Sequence, residues 1–211
     1  DLVNKVVEEV SKNSTEEKQA LSAKVMKSIV ETNPEKIETL SDENKETMIT
    51  QTIEAAKNQA EGTSTNEIDL TNTIAEIVTK SDTATAAKVL ETLDQVSSES
   101  SSKLSLSVVS NLTKQENYEE KMEILSVTSS IVEQSITKLV EKAVENASSE
   151  EDLELVTNIV ENSKGTISDK IINSANTNEE SKKKITEVIV KVVEKNPEKA
   201  VEIIEKNKNT N

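Results

Sequence analysis

The side chains with any capacity for chemistry in this chain are carboxylates, lysines, hydroxyls and amides. There are 40 Asp and Glu against 25 Lys, a single aromatic (Tyr118), many Ser, Thr and Asn, and no His, Cys, Trp, Phe or Arg. Such an inventory could serve carboxylate acid–base work, a Ser–Lys nucleophile or oxygen ligation of calcium. No spacing in the chain argues for any of the three. Without His no side chain has its ordinary pKa near neutrality, and without Cys there is no thiolate. Zinc and haem lose their usual ligands with them, and lack of Arg removes the bidentate fork that grips phosphate. The acidic pairs Glu16-Glu17, Glu150-Glu151 and Glu179-Glu180 lack an Asp-x-Asp-x-Asp-Gly loop and fall where first helical turns are expected, complementing the helix dipole. The expectation is a non-catalytic chain without catalytic, cofactor-binding or metal-binding residues and without a small-molecule ligand.

Charge narrows the partners. A formal net charge of -15 repels nucleic acid, and one tyrosine gives no stacking platform. The run Lys182-Lys183-Lys184 follows Glu179-Glu180 and reads as a solvated helix face. No apolar run reaches the eighteen or so residues of a membrane span, so no membrane insertion is expected. Asp1-Leu2-Val3 in place of Met is what a processed or excerpted chain would carry. The absence of Cys rules out a disulfide-stapled mini-domain and fits either the cytosol or a cell surface.

The elements that must hold these residues are amphipathic helices. Leu2, Val3, Val6, Val7 and Val10 recur at i, i+3/i+4, i+7/i+8, and similar stripes follow at Leu21, Val25, Ile29 and at Ile74, Ile77, Val78. Two more run through Leu153, Val156, Ile159, Val160 and through Ile185, Val188, Ile189, Val192, Val193. Each seam is narrow and aliphatic, which suits helices stacked in thin layers. Helix starts are read from Ser/Thr-x-x-Glu boxes at Ser14–Glu17, Ser64–Glu67, Ser148–Glu151 and Thr177–Glu180, and from Asn33-Pro34 and Asn196-Pro197. Weaker starts fall near Ser81, Ser100, Asn117 and Thr166. The recurrence suggests a two-helix unit of roughly 35 to 40 residues.

One direct self-match supports repetition. Laying residues 11–36 on 174–199 without gaps gives 11 identities in 26 positions and runs Asn33-Pro34-Glu35-Lys36 onto Asn196-Pro197-Glu198-Lys199. Two stretches break the rhythm. Met122, Leu125, Val132, Ile136, Leu139 and Ala143 follow heptad spacing, open to reading as a long or broken helix of the array or as a dimerising coiled coil. Residues 97–102, Ser-Ser-Glu-Ser-Ser-Ser, read as a turn or hinge between an N-terminal helical region (1–96) and a C-terminal one (103–211), which could equally form one array.

The hairpin rhythm resembles HEAT-like and other α-solenoid repeats, without the aromatic pattern of tetratricopeptide repeats or the Thr-Pro-Leu-His of ankyrin. The compositional bias also resembles repeat segments of extracellular structural proteins, which implies an extracellular or cell-surface location ahead of a cytoplasmic one. The expected fold is all-α, stacked antiparallel hairpins forming an α-solenoid-like repeat array, with an extended helical bundle containing a coiled-coil segment as the alternative. The expected function is a structural or spacer segment of a larger helical repeat protein, with a protein partner or self-association. The competing reading is an interaction module for a basic peptide or protein.

Overall fold

The computed structural model describes residues 2–11, 16–63, 68–97, 102–128, 141, 144–145, 147–162, 171–172, 178–199 and 201. The chain is all-helical, with no strand among the described residues. Its elements are α1 (Leu2–Ser11), α2 (Glu16–Thr32), a 3-10 helix (Pro34–Thr39), α3 (Asp42–Ala60), α4 (Leu70–Lys80), α5 (Thr83–Ser97), α6 (Ser102–Thr113), α7 (Tyr118–Thr128), α8 (Glu150–Asn162) and α9 (Glu179–Lys195).

With so few Gly and Pro, local side chains set the helix ends. α3 shows both ends of the device. The Ser41 hydroxyl accepts from Asn44 N–H at 3.3 Å, and Asp42 and Glu43 occupy the positive first turn. At the other end Gly62 adopts φ +71°, so that Gly62 N–H donates to the Gln59 carbonyl and Thr63 N–H to that of Asn58. This left-handed stop satisfies two of the final carbonyls, and a side chain at Gly62 would be strained there although the space beside it is open. Asp69 and Asp82 cap α4 and α5 by accepting from Asn72 N–H at 3.0 Å and Thr85 N–H at 2.7 Å.

The apolar faces merge into one connected cluster running from Val7 to Val192. Ile74, Ile77 and Val78 are buried as their spacing requires, and so are Val156, Ile159 and Val160. In α2 the buried set is Ser22, Ala23, Met26 and Val30. The expected stripe lies one position away, with Val25 and Ile29 half-buried and Leu21 exposed. Ser22 is tolerated in the core because its hydroxyl donates to Gln51 Oε1 of α3. Gln19 extends that seam, donating to Glu54 at 2.6 Å and accepting from Asn58 at 3.3 Å.

The principal packing pairs follow chain order. α1, α3, α5 and α7 touch in series, as do α2, α4, α6, α8 and α9, and each series is bridged to the other by neighbours such as α2 with α3 and α4 with α5. α6 also packs on α3, α4 and α5 across the Ser-rich 97–102 stretch. Polar side chains link successive members of a series over a recurrent chain separation: Asn44 to Asn4, 40 residues apart, Asn111 to Thr71, 40, and Lys195 to Glu154, 41; Gln115, just past α6, reaches Asn72 of α4 over 43.

Candidate functional site

Among the described residues a dense polar constellation sits at the corner between α4 and α5. Four separate segments converge there: Glu38 from the 3-10 helix, Lys45 from α3, Ser81 and Asp82 of the α4–α5 turn with Thr85 in the first turn of α5, and Lys121 from α7. Glu38 Oε1 accepts from Asp82 N–H at 2.9 Å. Glu38 Oε2 accepts from Thr85 Oγ1 at 3.1 Å and pairs with Lys45 Nζ at 2.9 Å. Lys121 Nζ donates to the Ser81 carbonyl at the end of α4, where a cation complements the negative end of the helix.

Electrostatics fix the protonation states. Burial pushes the Asp82 carboxyl up, but hydrogen bonds from Thr85, with the Lys45 charge, outweigh it and hold Asp82 below its ordinary range. Burial lowers Lys121, and the charges of Asp82 and Glu38 oppose that displacement. An acid catalyst would need a carboxyl kept protonated near neutrality, and Asp82 is displaced the other way. Both Glu38 oxygens are already engaged. The arrangement therefore acts as a clamp that ties the 3-10 helix, α3, α5 and α7 together.

A cleft of about 220 Å³ adjoins the clamp, lined by Asp42, Lys45, Glu46, Ile49, Ala84, Thr85 and Lys88. The Lys88–Glu46 ion pair joins two of its lining residues at 2.8 Å. This is below the roughly 300–1,000 Å³ of small-molecule sites. Among the described residues no three acidic side chains gather as a metal site. No described helix is long and apolar enough to cross a membrane.

The corner device recurs. Asn4 Nδ2 donates to the Thr39 carbonyl at 3.3 Å, Tyr118 Oη to the Asn162 carbonyl at 3.4 Å, and Lys184 Nζ to the Glu145 carbonyl at 2.9 Å. Each gives a carbonyl a donor from 35 to 44 residues away. Three of these carbonyls, those of Thr39, Ser81 and Asn162, lie at helix ends, where backbone acceptors lack an intrahelical donor.

At two of the sequence-selected helix starts the residue that caps is the next one along the chain. Ser148 and Glu151 flank the box actually formed: Asp152 N–H donates to Ser149 Oγ at 3.1 Å, while Ser148 and Ser149 N–H donate to Asp152 Oδ2, each at 3.1 Å. Glu151 faces solvent and pairs with Lys103 at 3.3 Å. Before α9 the cap is Asn178, accepting from Ser181 N–H at 2.7 Å. Glu180 lies in that first turn and pairs with Lys184 at 3.1 Å. Thr177 lies outside the described residues, as do Ser14, Ser64 and Glu67, and Glu17 stands in the acidic first turn of α2. Asn196 Oδ1 accepts from Lys199 N–H at 3.3 Å, with Pro197 at the first helical position. Asn33 precedes Pro34 without a side-chain capping bond, and the helix that starts there is 3-10.

Of the heptad seam, Met122 and Leu125 are buried in α7, which packs on α5 and α6. Val132, Ile136, Leu139 and Ala143 lie outside the described residues. The clamp residues Glu38, Lys45, Asp82 and Lys121 carried no sequence signal as a group. Only Asp82-x-x-Thr85, a helix-start spacing, could have been read locally. Comparison with protein-family models, curated proteins and solved structures finds no match.

Proposed function

We propose that this chain is a non-catalytic structural segment, a spacer in a larger helical repeat protein, built as an α-solenoid-like array of helix hairpins. The observation that carries the reading is the order of packing: main contacts join helices that are neighbours or near-neighbours in the chain, in two parallel series. A bundle closed around a single core would bring the first helices against the last. Nearest-neighbour packing instead makes length, set by the number of units, the property that the sequence specifies. The clamp supports the same role, since its charges are spent on one another and on helix ends.

Small-angle scattering tests the proposal. A compact chain of 211 residues has a radius of gyration of about 17 Å. The array should exceed that value and give an asymmetric distance distribution. A symmetric distribution at the compact value would refute it.

A further inference from the structure

The helices of the longer series do not end at even intervals. α2, α4, α6, α8 and α9 end at Thr32, Lys80, Thr113, Asn162 and Lys195. The steps between these ends are 48, 33, 49 and 33 residues, a long one and a short one in alternation. Equal hairpins would give equal steps. Successive hairpins are therefore of two kinds, and the arrangement returns after two of them, every 81 or 82 residues.

Burial fixes that return at 82. α2 buries Ser22, Ala23, Met26 and Val30, and α6 buries among others Leu104, Ser105, Val108 and Leu112, each 82 residues on. α4 buries Leu70, Ile74, Ala75, Ile77 and Val78, and α8 buries Asp152, Val156, Thr157, Ile159 and Val160, again 82 on. In that pair Thr73 breaks the match, with half-buried Leu155 at the corresponding position. Val7 of α1 and Val89 of α5, both fully buried, stand at the same distance. One amphipathic stripe would match another nearly as well three or four residues to either side. Three helix pairs agreeing on one number, with α4 and α8 ending 82 apart, remove that freedom. Packing repeats too, since the contacts α1–α2, α1–α3, α2–α3 and α2–α4 return as α5–α6, α5–α7, α6–α7 and α6–α8. The copies differ at one place: α7 starts at Tyr118, over the stretch that corresponds to the 3-10 helix, and Glu116 stands where the first copy has Pro34.

We infer that the unit of this array is a pair of unlike hairpins, 82 residues long. α1 to α4 form one copy, α5 to α8 the next, and α9 stands where a third copy has its second helix. The self-match of 11–36 with 174–199, which pairs α2 with α9, spans two periods to within a residue. The inference rests on the array reading above and replaces the single hairpin as the module that sets the length of the spacer. It puts the junction between copies at Asp82 and Thr83, and the Ser-rich 97–102 stretch inside the second copy, between its first and second helices. The clamp then fastens one copy to the next, because Glu38 and Lys45 belong to the first and Thr85 and Lys121 to the second.

Two enlargements of the full chain test this. In one, residues 31–112 are repeated after Leu112, so that Glu31 continues α6 and one whole unit is added. In the other, residues 33–80 are repeated after Lys80, which adds a single hairpin and sets a second α3 where α5 belongs. Circular dichroism melts read the outcome. The unit insertion is expected to melt in one transition within about 4 °C of the parent, and the hairpin insertion at least about 8 °C lower or in two transitions. A hairpin insertion as stable as the unit insertion, or a unit insertion that falls as far as the hairpin one, would overturn the inference. Scattering keeps the two readings apart, since a compact chain of the enlarged length has a radius of gyration of about 19 Å. A folded unit insertion above that value agrees with both, and one at that value sinks the array while leaving the unit. A hairpin insertion that folds equally well and is elongated sinks the unit alone.

Discussion

Replacing Glu38 by alanine removes the centre of the α4–α5 clamp. The Asp82 N–H and the Thr85 hydroxyl each lose an acceptor, and Lys45, whose side chain is only 17% exposed, loses its 2.9 Å partner. Hydrogen bonds to a charged group contribute about 1.5–3 kcal/mol each, but water can reach part of this corner and the bonds share one carboxylate, so they do not add. A loss of about 2–3 kcal/mol is expected. For a chain of this size 1 kcal/mol corresponds to roughly 2–4 °C, which makes the fall in melting temperature about 4–12 °C. Glu38→Gln keeps acceptor geometry for part of the set without the charge and should fall between wild type and Glu38→Ala. Thermal melts followed by circular dichroism at 222 nm, the ordinary helical band, read the change. Repeating them with Lys121→Met in a double-mutant cycle should show non-additivity, because Lys121 feels the Glu38 charge across the corner. A Glu38→Ala melt within 1 °C of wild type, or strict additivity with Lys121→Met, would show that the clamp holds nothing together.

Val188→Asp, at a fully buried position of α9, should cost about 3 kcal/mol or more by burying an unpaired charge, whereas Lys183→Ala on the exposed face should stay within about 0.5 kcal/mol. Equal melting points for the two would mean that the α9 faces have been assigned backwards. Asp152 accepts the Ser148 and Ser149 N–H groups and is held below 3.8, its ordinary value, because these bonds and the Lys103 charge outweigh the upward push of burial. A carboxyl depressed on folding contributes stability that is complete above the unfolded pKa and is lost as pH falls through the folded one. The melting temperature should therefore drop on acidification below about pH 4, and Asp152→Asn should flatten that part of the profile while lowering stability at pH 7. An unchanged acid limb in Asp152→Asn would remove the cap from the account.

How far the sequence reaches can be judged from particular residues. Helical periodicity placed Ile74, Ile77 and Val78 in the core, because three-and-four spacing leaves few alternatives for aliphatic side chains in a polar chain. The caps Ser149 and Asn178 stand one residue from the sequence-read positions Ser148 and Thr177, whereas Ser41 and Asp69, which cap α3 and α4, were not read as starts. Around 148–152 two adjacent serines and three acidic residues offer several overlapping boxes, and only backbone geometry chooses Ser149 with Asp152. The exposed position of Leu21 was not legible, since local spacing does not say which of two adjacent stripes, Leu21-Val25-Ile29 or Ser22-Met26-Val30, turns to the neighbouring helices.

By itself, then, the sequence determined the class of the protein: absent His, Cys and Arg strip it of the common chemical groups, and aliphatic spacing with polar caps makes it helical. Tertiary structure decided what local pattern cannot encode. Glu38 and Asp82, 44 residues apart, and Lys121, 40 residues beyond Ser81, meet only because the elements that carry them turn to one corner. The repeated segment likewise buries different positions in its two copies, with only Ser22 and its counterpart Ile185 buried in both, because burial depends on which neighbour a helix has, and its own residues do not name that neighbour.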